Sequence, residues 1–81
     1  MAHAEHTFAF PQRARTDENI ERAQLMQALA DTRVRINQAY SGFNCAKDHE
    51  LIESFVFEIN ALQSRYSYLL RRIKELEEEQ A

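Results

Sequence analysis

Cys45 stands two residues before Lys47 and four before His49, at the foot of a segment that reads as a helix start. An imidazole, an ammonium and a helix N-terminus could together acidify a thiol, and the thiolate is the reactive form. Nucleophilic catalysis would also need a group to orient the base and a pocket for substrate, and this chain of 81 residues offers neither. A small apolar plug beneath a loop is the better reading of Cys45. His3 and His6 are close in sequence while His49 is remote, and no Cys or His cluster completes the four ligands of a structural zinc site. Asp31, Asp48, Glu50, Glu53 and Glu58 supply carboxylates. Acid–base work by such a pair requires a cavity that raises one pKa, so they read as a solvated helix face. No catalytic residue, metal, cofactor or small-molecule substrate is expected.

Arg65, Arg71, Arg72 and Lys74 form a basic cluster interleaved with Tyr66 and Tyr68. Cations and aromatics in alternation can hold single-stranded nucleic acid. Here Tyr66 falls on an apolar seam, and Glu75, Glu77, Glu78 and Glu79 follow at once. Spacings of four join Arg71 to Glu75 and Lys74 to Glu78, so a self-paired helix surface is preferred to a phosphate site.

The elements that would position these groups are helical. Apolar residues recur at alternating steps of three and four: Ile52, Phe55, Ile59, Leu62, Tyr66, Leu69, Ile73, Leu76. That period belongs to a helix burying one narrow seam against another helix. A weaker series, Leu25, Leu29, Thr32, Ile36, Ala39 and Phe43, runs upstream, with Thr32 and Ala39 as poor fillers and Met26 and Tyr40 widening the stripe. Residues 1–16, with Pro11 and two Phe, read as a flexible arm; Thr7–Pro11 is either a docking peptide or a loose tail. Residues 17–79 read as a hairpin: a helix over 17–41, a loop over 42–47 opened by the sole Gly as C-cap, and a helix over 48–78 with Asp48 as N-cap. A short connection makes the helices antiparallel.

A single Cys excludes an internal disulfide, and a net charge of −3 argues against a dedicated nucleic-acid binder. No apolar run approaches a membrane span and no signal-peptide core appears near Met1. So short a chain buries a limited core and commonly needs a second subunit. The second helix also carries Phe57, Ala61, Ser64 and Tyr68 opposite its seam, with Val56 and Leu70 beside it. A second stripe calls for a second neighbour, most simply another copy in a homodimeric four-helix bundle. Glu58 and Arg65 flank the seam, where ion pairs could select partner or orientation.

The blocks Glu50-Leu51-Ile52-Glu53, Phe57-Glu58-Ile59-Asn60-Ala61 and Arg65-Tyr66-Ser67-Tyr68-Leu69-Leu70, followed by Lys74, resemble the YaaL-like family of small bacterial proteins of unknown function. The likeness runs from about Leu25 to Glu75. Glu53 stands where an Asp is usual and Phe57 where a Tyr is usual. The resemblance implies a cytoplasmic protein of a Gram-positive bacterium and carries no assigned chemistry. It draws attention to Asn60 beside the seam, since an amide can fix register in a helical interface. The expected function is therefore a non-enzymatic interaction or adaptor protein. Its interface residues would be Phe57, Asn60, Ala61, Ser64 and Tyr68, and the alternative is a nucleic-acid accessory protein.

Overall fold

A computed structural model describes the backbone of residues 2–80 and the side chains of residues 17–79. Helix α1 spans Ala2–Cys45 and helix α2 spans His49–Gln80. The two run antiparallel: Leu29 clusters with Leu69 and Ile73, while Ala39, farther along α1, meets Ile59 and Leu62, earlier in α2. The α2 seam is the one its spacing marks. Ile59, Leu62, Leu69, Ile73 and Leu76 are buried, and Ile52, Phe55 and Tyr66 are half-buried. The side chains of the expected arm over 1–16, including His3, His6 and Thr7–Pro11, lie outside the described residues. No helix among the described residues is long and apolar enough to cross a membrane.

The connection differs from the expected loop over 42–47. Residues 42–45 continue α1, and only Ala46–Asp48 lie between the helices. Gly42 does not adopt positive φ, so it is no left-handed cap. The Ala46 N–H donates to the Gly42 carbonyl at 2.9 Å, closing the last turn, and the Ile52 N–H donates to the Asp48 carbonyl at 3.0 Å. That second bond puts Asp48 at the N-cap of α2. Gly42 is explained by space instead. A Cβ at this position would land on the ring edge of Phe55, so the glycine is a notch that admits an aromatic ring against the α1 backbone.

Thr32 and Ala39, weak fillers by size, are among the best covered residues, at 4% and 2% exposure. A short side chain is fully covered only where the facing helix comes close, so their size is what lets α2 approach. The Thr32 hydroxyl donates to the Ala28 carbonyl at 2.7 Å, which satisfies it inside its own helix. Thr32→Val keeps the shape and removes the hydroxyl. Its melting curve should show a stability change of no more than about 1 kcal/mol; a larger loss would mean that the hydroxyl has a role across the seam.

Candidate functional site

The hairpin is a single layer of two helices, and a layer has two faces. With Ile52 and Leu29 as a positions, the residues flanking the seam at e lie on one face and those at g on the other. Tyr40 and Gln63 are both e residues, and the Gln63 amide donates to the Tyr40 hydroxyl at 3.0 Å across the layer. Beside them Tyr40, Phe43, Val56, Ile59 and Asn60 line a shallow apolar groove of about 190 Å³. Arg33, also at e, donates to the Tyr66 hydroxyl at 2.9 Å with its guanidinium carbon 5.8 Å from the ring centroid.

The g face is polar. Glu21 and Arg72 are both g residues and pair at 2.9 Å, and Arg72 also holds Glu75 at 2.8 Å. At the open end of the hairpin, away from the g face, Arg22 at an a position pairs with Glu77 at an e position at 2.8 Å. Two hydrogen bonds, to Glu75 first and then Glu21, raise the Arg72 pKa. The Arg72 hydrogen bond is likewise the main cause that lowers the Glu75 pKa from its ordinary 4.5. A carboxylate with a lowered folded-state pKa contributes stability above its unfolded pKa, and that contribution disappears as pH falls through the folded value. Glu75→Gln should therefore flatten the acid limb of stability against pH below about 4.5. Melting curves over pH 3–7 check this, and an acid limb equal to wild type would contradict it.

The four cations of the basic cluster do not act together. Arg71 binds Glu75 at 3.2 Å, as its spacing indicates, and stacks 5.3 Å from the Tyr68 centroid. Arg72 is taken up by Glu21 and Glu75. The expected Lys74–Glu78 pair does not form among the described residues, nor do Glu58 and Arg65 enter ion pairs there. The cross-helix links through Glu21, Arg22, Arg33 and Gln63 are not apparent from either helix read alone. They emerge once the hairpin register aligns the flanking positions.

Phe57, Asn60, Ala61, Ser64 and Tyr68 are all exposed on the side of α2 away from α1. Phe57, at 66%, is the most exposed large apolar side chain described. Asn60 differs from the others in reaching the groove. Cys45 is exposed, which corrects the reading of a plug under the loop: α1 carries it past Gly42 on a c position, facing away from the seam. Among the described residues, no group of three or more His, Cys, Asp or Glu side chains could hold a metal ion. The arrangement offers surfaces for packing and for ion pairs.

The family model described as protein of unknown function (DUF2508) matches residues 7–77. The chain belongs to that family. The YaaL-like resemblance carried by the three sequence blocks is consistent with this membership. No curated protein and no solved structure was found to match. In this DUF2508 chain the matched span takes in most of both helices and the whole connection.

Proposed function

We propose that this DUF2508 protein is a non-enzymatic interaction protein of the cytoplasm. Its hairpin pairs with a second hairpin into a four-helix bundle, and the outer side of α2 is offered to a protein partner. The observation that supports this is the state of its apolar residues. Met26, Tyr40, Val56, Phe57, Tyr68 and Leu70 are each at least 40% exposed, while no large side chain among the described residues is fully buried. One layer of two helices covers a seam and leaves the rest of its apolar surface for another layer. The outer residues Phe57, Ala61, Ser64 and Tyr68, with Asn60 at their margin, form the partner surface. A nucleic-acid role would have to draw Arg71 and Arg72 from their carboxylates, and no observation favours it.

The test is co-purification from bacterial cytoplasm with wild type and Phe57→Glu as paired baits. A surface substitution at so exposed a residue should change stability by no more than about 0.5 kcal/mol, so circular dichroism should be unchanged. A protein captured by wild type and lost with Phe57→Glu is the expected result. The same proteins captured by both baits would remove Phe57 from the working surface.

A further inference from the structure

The two faces of the hairpin differ in more than their ion pairs. Between Met26 and Tyr40 on α1 and between Val56 and Leu70 on α2, the e and b positions carry a single charge, Arg33. Over the same spans the g and c positions carry Asp31, Arg35, Glu58 and Arg65. Depletion of charge with retention of Met, Tyr and Arg is the composition of an interface core. The apolar groove opens on this same charge-poor face.

The pattern on that face also repeats about its own centre. Val56 and Leu70 each lie seven residues from Gln63, and Met26 and Tyr40 each lie seven from Arg33. Glu53 and Lys74, both b residues, lie ten and eleven from Gln63 on opposite sides. A twofold axis across the layer at Arg33 and Gln63 would therefore set Val56 against Leu70, Met26 against Tyr40 and Glu53 against Lys74 of a second copy. An isologous contact requires this kind of self-complementarity. The only like-charge meeting is Arg33 with its own copy, and each guanidinium is drawn onto the Tyr66 ring and hydroxyl of its own chain.

We infer that the occupant of the charge-poor face is a second copy of this chain, packed with α1 antiparallel to α1 and α2 antiparallel to α2 about an axis at Arg33 and Gln63. The inference rests on the reading that the hairpin pairs, and adds which face pairs and in which orientation. Asn60 then borders the dimer contact, while Phe57, Ser64 and Tyr68 stay outside the bundle and free for a partner protein.

Site-directed cross-linking of the full chain, in a Cys45→Ser background, tests this. Gln63→Cys lies near the axis and should form a disulfide with its own copy under mild oxidation. Val56→Cys alone should not, since the two copies would sit about 21 Å apart along α2. Mixed with Leu70→Cys it should give a crossed dimer. Glu53→Lys or Lys74→Glu alone should weaken the dimer roughly fivefold, and the two together should restore it. Cross-linking of Val56→Cys to Tyr40→Cys in place of Leu70→Cys would mean α1 packs on α2 of the other copy, and would overturn the orientation. A dimer in which none of these positions cross-links would overturn the face, with the pairing itself intact. A chain that sediments as a monomer at micromolar concentration would overturn the pairing as well.

Discussion

Leu62→Ala should lower stability by about 2–5 kcal/mol and abolish most of the cooperative melting transition. Leu62 is 4% exposed and packs in the cluster of Ala39 and Ile59, bordered by Ile36 and Phe55. The facing residue in its cluster is the small Ala39, which cannot extend to fill the space that a truncated Leu62 would leave. A cavity in a dense core relaxes only in part, so the loss of transfer energy is joined by a cavity term. A core in a chain of this size rarely supplies more than about 3–5 kcal/mol. The substitution therefore removes a large share of the total. Urea titration followed by helical circular dichroism measures it. A midpoint within experimental error of wild type would show that the seam at Leu62 does not hold the hairpin together.

Gly42→Val should cost about 1–3 kcal/mol, the range for overpacking a fitted site. The sign is not obvious from helix propensity, because glycine inside a helix is about 1 kcal/mol worse than alanine. By propensity alone, filling Gly42 should stabilise α1. The geometry reverses this, since the first carbon added meets the Phe55 ring. The ring must leave its place between the helices or the α1–α2 connection must open. A double-mutant cycle separates the two effects. With Phe55→Leu the collision is relieved, and Gly42→Ala should then be neutral or stabilising by up to about 1 kcal/mol. If Gly42→Ala and Gly42→Val both stabilise the wild-type background, the notch has no packing role. A loss of 1 kcal/mol corresponds to about 4–8 °C in melting temperature for a domain of this size, so the cycle is within reach of thermal melts.

The period of the α2 seam was fully legible because every step carries a bulky apolar residue, and burial follows it residue by residue. The α1 seam was legible in position but not in quality. Thr32 and Ala39 look weak by size, yet their small size lets the facing helix approach, and proximity depends on both chains at once. Gly42 misled for a related reason. The sole glycine between two helical patterns resembles a terminator, and only the position of Phe55, thirteen residues later, reveals it as clearance for a ring. The exposure of Cys45 follows from the same boundary, since a helix that runs on to residue 45 turns the thiol outward.

The site shows the same division. Spacing on one helix identified Arg71–Glu75 correctly, because an i,i+4 pair is local. Arg72 binding Glu21, Arg22 binding Glu77 and Gln63 binding Tyr40 are properties of the hairpin register, and register is set jointly by both seams and a three-residue connection. The exposure of Phe57 and Tyr68 followed from their phase relative to the seam. The contrast between a charge-poor face and a charged one follows from phase on both helices together, and it could be read only after the helices were aligned.

Sedimentation equilibrium of the full chain at micromolar concentration tests the central claim, that this hairpin is one layer of a two-layer bundle. The account predicts a particle of twice 9.5 kDa that returns to a monomer on Val56→Glu with its helical content retained. A single species of 9.5 kDa for the wild-type chain would contradict it, whereas a dimer indifferent to Val56→Glu would contradict only the assignment of the paired face.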